Sequence, residues 1–388
     1  MKKPKKRTID KNSPEWVPAD KKNSVEFTTN IMPGVSSTTA DLKSSHNQKI
    51  SIRRQVKKRP ALYVDDYVNG ILTRERSILA RAITLIESNS WQHQSQAQEI
   101  LTKLMPYTGN SIRIGITGVP GAGKSSFIEA FGLYLLEQGH RVAVLAIDPS
   151  SAISGGSILG DKTRMEKLGT HPNAFIRPSP ASGALGGVAR KTRETLLVCE
   201  ASGFDVVLVE TVGVGQSEIT VRSLVDFFLL LQIAGGGDEL QGIKKGVMEI
   251  ADALVVNKAD GDNKAKAEVA KQGFATALHY MMPHTNGWQT RAFTCSAVTG
   301  EGIANVWRVI EKFKGITTAN NVFAERRRSQ ARQWMRAIVE DYLQSLFYKD
   351  ENIQKILPQL ENAVMAGKIP ATTAAQQLVD AFEKQREK

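Results

Sequence analysis

The segment Gly118-Val-Pro-Gly-Ala-Gly-Lys124-Ser125 constrains this chain more than any other. It follows the apolar run 112–117 and precedes a helical stretch, so it reads as a strand, a glycine-rich turn and a helix start. Gly118, Gly121 and Gly123 let backbone N–H groups turn inward around phosphate oxygens, with Val119, Pro120 and Ala122 completing the loop. The helix N-terminus adds a dipole that favours an anion. Lys124 supplies a point charge to β- and γ-phosphates, and Ser125, followed by Ser126 in the first helical turn, can ligate Mg2+ through its hydroxyl.

Short β-rich runs alternate with helical stretches from here on: 112–117, 141–147, 205–210, 227–231, 253–257 and 292–295. This alternation predicts an α/β fold, a mostly parallel P-loop NTPase sheet with helices on both faces. Such sheets bind ligands at the carboxyl ends of their strands. Upstream, Ile71, Leu79, Ala82, Ile83, Ile100, Leu101 and Leu104 recur at helical spacing, which predicts two helices ending near Pro106. After about Phe323 the strands stop. Trp334, Met335, Ile338, Val339, Tyr342, Leu343, Leu346 and Phe347 form a broad apolar stripe on one long helix. The stripe fits packing against the chain's own core or a dimer contact.

Asn257-Lys258-Ala259-Asp260 closes another apolar run. A carboxylate at Asp260 can accept from both N1–H and N2–H2 of guanine, whereas adenine would leave it unpaired. This selects GTP over ATP. Ser296-Ala297, after the last expected strand, is where a backbone N–H would meet guanine O6. Asp148 and Glu210 end expected strands, and acids there can hold a metal-bound water. Asp161 lies in a glycine-rich run, 155–164, whose small residues suit a switch loop. Gln216 is a candidate to orient water; no arginine finger is evident.

The remaining composition narrows the function. The formal net charge is +12, but residues 1–60 hold 15 Lys+Arg against 5 Asp+Glu, so most of the excess belongs to one segment. Lys, Ser, Thr, Asn and Pro dominate that segment, which predicts a disordered basic tail and no specific nucleic-acid partner. It lacks an apolar secretory region, and Asp10, Glu15, Asp20 and Glu26 interrupt its charge, so a mitochondrial presequence fits poorly. No apolar stretch reaches the roughly 18 residues that span a bilayer. Cys199 and Cys295 belong to no Cys/His cluster and read as small buried side chains in a reducing compartment, the cytoplasm.

These motifs also carry a resemblance. Gly118–Ser125, Asp148-Pro-Ser-Ser151, the run 155–165, the run 210–218, Gln232-Ile-Ala-Gly-Gly-Gly-Asp-Glu-Leu-Gln-Gly-Ile-Lys-Lys245 and Asn257–Asp260 resemble the MeaB/ArgK/MMAA family of P-loop GTPases over roughly 62–388. The resemblance implies a GTPase that chaperones methylmalonyl-CoA mutase or a related B12-dependent mutase, gating adenosylcobalamin loading without binding cobalamin itself. It implies GTP or GDP with Mg2+, and slow intrinsic hydrolysis that the mutase stimulates. It implies Ser125, Asp148, Asp161 and Glu210 as Mg2+ and switch residues, with Asp238 and Lys244 in a charge relay that senses the partner. It also implies a homodimer through a C-terminal helical arm. The expected organisation is a tail over 1–60, a helical extension over 61–108, a GTPase domain over 109–320 and a dimerisation arm over 321–388. A nickel or cobalt metallochaperone GTPase would use a His-rich tract or paired cysteines, and the six His are scattered. A kinase-like partner of amino-acid transport would need an acceptor site and a base, and neither is evident.

Overall fold

The computed structural model of the chain describes residues 62–88, 90–148, 165–180, 185–211, 217–235 and 245–386. The chain divides after Pro60, and the unit that follows is the one described. The expected tail over 1–60 lies outside the described residues.

Seven strands form one parallel sheet in the order β3-β2-β4-β1-β5-β6-β7. They are β1 (Ile112–Gly118), β2 (Val142–Asp148), β3 (Ala174–Pro180), β4 (Val206–Thr211), β5 (Phe227–Ile233), β6 (Ala253–Asn257) and β7 (Arg291–Thr294). The central strands are continuous apolar runs because helices cover both faces. Alternation along each strand divides the core in two. Ile114 and Ile116 of β1, Leu208 of β4 and Phe227 and Leu229 of β5 pack on one face, with Phe127, Phe131, Ile310 and Phe313. Val207 and Val209 of β4 and Phe228 and Leu230 of β5 pack on the other, with Ile83, Leu101 and Leu196.

The helices are α1 (Val64–Leu72), α2 (Arg76–Glu87), α3 (Trp91–Leu104), α4 (Lys124–Glu137), α5 (Glu166–Thr170), α6 (Leu185–Ala201), α7 (Ser217–Arg222), α8 (Lys245–Ile250), α9 (Lys264–His279), α10 (Ile303–Ala319), α11 (Val322–Tyr348), α12 (Glu351–Met365) and α13 (Ala371–Arg386). Two expectations need correction. Among the described residues three α-helices, not two, precede β1. The first periodic run breaks at Arg74, whose φ of 67° reverses the chain between α1 and α2. Strand β3 was not expected at all. It carries Pro178 and Pro180, which an edge strand tolerates because one side of it needs no ladder hydrogen bonds. Cys199 and Cys295 are free and buried, as expected. Among the described residues no helix is long and apolar enough to cross a membrane.

The first half of α11 is fastened beneath the amino ends of β1, β5 and β6. Asp226, fully buried just before β5, accepts from Arg327 Nε at 2.8 Å, from a second Arg327 nitrogen at 2.7 Å and from Arg113 N of β1 at 2.8 Å. Arg327 also donates to Gly109 O and Ser111 O at 2.5 and 2.6 Å. Arg326 donates to Asp226 O and to Thr285 Oγ1, and Thr285 Oγ1 donates to Asp252 Oδ1, just before β6, at 2.5 Å. Gln330 Nε2 reaches Val225 O at 2.8 Å. Arg113 in turn holds Glu200 of α6 through two bonds of 2.8 and 2.9 Å.

Candidate functional site

The carboxyl ends of β1, β4 and β6 meet at one edge of the sheet. Gly118 ends β1 where a Cβ would lie 2.3 Å from Leu231 O, so no other residue fits that contact with β5. The loop then turns through Gly121 and Gly123, at φ of 82° and 80°. A Cβ on Gly123 would also sit 2.9 Å from Asn257 Nδ2. Lys124 opens α4 and folds back over the loop, its Nζ donating to Gly118 O at 2.9 Å and Val119 O at 3.4 Å. Burial lowers the Lys124 ammonium below its ordinary value, while the carboxylates of Glu210 and Glu218 pull the other way.

Glu210, near the end of β4, is 8% exposed, and its Oε1 accepts from Ser125 Oγ at 3.0 Å. Thr211 Oγ1 donates to Thr117 Oγ1 at 2.8 Å, tying β4 to β1 beneath the loop. Asp148 is the last residue of β2, one strand beyond β4, so its backbone reaches the same edge. Pro120 and Ser126 are exposed, Val119 is half-buried against the core and Ala122 is buried. Asp161, Gln216, Asp238 and Lys244 lie outside the described residues. Glu218, in the first turn of α7, is 4% exposed. Its influence on Lys124 was not foreseen, because nothing in its local pattern distinguishes it from a helix-start acid.

The base-reading end is braced by Asn257, the last residue of β6. Its Nδ2 donates to Ala122 O at 2.8 Å. Its Oδ1 accepts from Ala297 N at 3.1 Å and from Cys295 Sγ at 3.5 Å. Burial pushes the Cys295 thiol up to about 12, so it stays a neutral donor. One amide thus ties the phosphate loop to the loop after β7. Lys258 takes the left-handed conformation, φ 59°, which turns the chain toward Asp260. Asp260, half-buried, accepts from Ser296 Oγ at 2.5 Å. Ser296 Oγ is itself fixed by Val298 N at 3.2 Å and Thr299 N at 3.1 Å. Sequence placed a guanine O6 donor at Ser296 or Ala297. In the structure Ser296 N donates to Glu301 O at 2.9 Å within that loop, and Ala297 N donates to Asn257 Oδ1 across to β6.

A parallel sheet whose central strand runs through a glycine-rich loop into a helix that opens on lysine defines a P-loop nucleoside triphosphatase. Residues 79–352 match the family described as methylmalonyl-CoA mutase-associated GTPase MeaB, and the chain belongs to that family of GTPases. A protein of Caulobacter vibrioides named as a GTPase is 55% identical over 323 residues, 83% of this chain and 99% of that one. The mouse protein named methylmalonic aciduria type A homolog, mitochondrial, is 41% identical over 83% of this chain and 80% of its own length. A crystal structure of an LAO/AO transport system kinase superposes with a TM-score of 0.68 at 39% identity, covering 82% of this chain and 97% of that one.

Proposed function

We propose that this chain is a GTP-driven switch that gates adenosylcobalamin loading into a B12-dependent methylmalonyl-CoA mutase, or a related acyl-CoA mutase, and protects that enzyme. The observation that carries the reading is the family match across 79–352, which spans the whole sheet and the anchored half of α11. In this reading Lys124 leaves Gly118 O and Val119 O to meet the β- and γ-phosphates, and Asp260 reads the guanine. The Ser125 hydroxyl and the Glu210 carboxylate present oxygen donors 3.0 Å apart, the hard donor chemistry that suits Mg2+. With Asp148 and Asp161 they would hold the ion, which neutralises phosphate charge when bound. The γ-phosphate orders the loops around it, and hydrolysis releases them. Asp238 and Lys244 relay that change to the mutase. The protein acts in the cytoplasm and binds no cobalamin itself.

The test is GTP turnover in Mg2+ buffer with and without purified apo-mutase and adenosylcobalamin. Stimulation by the mutase, lost on chelating Mg2+, is expected. Equal turnover in both arms would sink the reading. The likeness to a transport system kinase supports one rival, and the same assay run with γ-labelled GTP and ATP decides it by whether label appears on protein.

The arm supports a homodimer. Met335, Val339 and the adjacent pair Tyr342 and Leu343 of α11 are each more than half exposed and lie on successive turns, an apolar seam with water on it. Tyr342→Glu is expected to convert a dimer into a 42.5 kDa monomer by light scattering after gel filtration. A wild-type chain that elutes as a monomer at micromolar concentration would remove the proposal.

A further inference from the structure

A cavity lined by no residue of the phosphate loop lies where α3, α6 and α11 converge. Its volume is about 640 Å3, within the range of small-molecule sites. Leu101, Met105, Leu197, Trp334 and Ile338 give it an apolar wall. The indole of Trp334 is held in place by the Arg193 guanidinium, 5.0 Å from the ring centroid.

One side of the cavity is built differently. Arg190, Glu194 and Gln98 line it together. Glu194 is 6% exposed, and Gln98 Nε2 donates to its Oε1 at 3.1 Å. Burial pushes the Glu194 carboxyl above its ordinary value, opposed by the Arg190 charge and the Gln98 bond. Arg190 carries a buried Nε–H that meets no acceptor. A buried donor without an acceptor is rare in folded proteins and calls for an explanation. A guanidinium cannot shed its proton, so Arg190 stays charged at the wall of the cavity with this donor still to be satisfied.

We propose that this cavity binds a small apolar carboxylate, its head accepting from Arg190 and its chain lying along Leu101, Leu197 and Trp334. A carboxylate matches the fork of a guanidinium better than a neutral acceptor does. Trp334 and Ile338 sit on the helix whose adjoining face carries the exposed seam, so an occupant fixes the arm against α3 and α6. This goes beyond the switch cycle and does not depend on the identity of its partner.

The test uses the full chain and ligand-observed saturation-transfer NMR with octanoate, and octan-1-ol as the uncharged match. Saturable octanoate binding is expected, with the alcohol and Arg190→Gln each weaker by about tenfold or more, as for loss of a charge-assisted pair. Thr102→Trp fills the cavity from an exposed position at its rim and is expected to abolish binding of both. Circular dichroism reports whether each variant folds. If Arg190→Gln does not fold, Thr102→Trp and the octanoate-to-octanol comparison decide. No saturable signal with a dissociation constant below about 10 mM, equal binding of acid and alcohol, or wild-type binding by Thr102→Trp overturns the proposal.

Discussion

Asp260→Asn is expected to lower affinity for GTP and GDP by about 10^3-fold and to raise affinity for xanthosine nucleotides. Two charge-assisted hydrogen bonds from N1–H and N2–H2 contribute roughly 1.5–3 kcal/mol each. An amide at 260 presents one oxygen and one NH2, so one guanine donor faces another donor. Xanthine carries an oxygen at C2, which the new NH2 can meet. The substitution also isolates base reading from architecture. Ser296 Oγ donates to Asp260 at 2.5 Å, and an Asn oxygen can still accept that bond, without the charge. Asp260→Ala would release Ser296 and blur the result. Titration with fluorescent GDP and XDP measures both affinities, and an unchanged GDP-to-XDP ratio would remove Asp260 from the base site.

Asp226→Ala is expected to destabilise the fold by about 3–5 kcal/mol, the usual cost of orphaning a buried ion-pair partner. The side chain is fully buried and accepts three hydrogen bonds, two of them from Arg327. Its removal leaves Arg327 charged beneath the sheet and Arg113 N without its acceptor. A melting temperature lower by on the order of 10 °C follows for a domain of this size. Acid should reveal the same group. Burial alone would raise the Asp226 carboxyl, but the hydrogen bonds and charge of Arg327, with Arg113, hold it below its ordinary value. Glu200 behaves likewise, held down by Arg113, Ser111 and Gly109 against burial. A carboxyl depressed on folding contributes stability above its unfolded value of about 4, and that contribution is lost as pH falls through the folded value. Wild-type stability should therefore drop more steeply than that of Asp226→Asn below about pH 4. Chemical denaturation at pH 7.5 and pH 3.5 measures both effects. An Asp226→Ala chain within about 1 kcal/mol of wild type would show that the arm's anchor is dispensable.

What sequence made legible was whatever depends on neighbours along the chain. The phosphate loop is a strand, a turn and a helix in immediate succession, so its glycines and Lys124 could be read in order. The apolar runs of β4, β5 and β6 announced buried strands because parallel strands are apolar throughout. Strand β3 stayed hidden because its edge position lets Pro178 and Pro180 stand where a central strand would exclude them. The break at Arg74 stayed hidden because a left-handed residue there is usually glycine. The site's bracing was equally invisible. Asn257 meets Ala122 across 135 residues, and Asp226 meets Arg327 across 101. Neither pairing has a local signature, since each exists only once the sheet has set its strand order.

That strand order has a consequence for how the chain is made. β1 and β2 follow one another in sequence but never touch, because β4 inserts between them. β1 pairs only with β4 and β5, and Val206 lies 88 residues beyond Gly118. At ribosomal speeds of about 5–20 residues per second, the strand that carries the phosphate loop waits on the order of ten seconds for its first neighbour. A nascent chain halted before β4 therefore has no framework on which to shape the loop. GTP can be gripped only after more than half of the polypeptide has emerged, and a ribosome-bound fragment ending near residue 200 should fail to retain it.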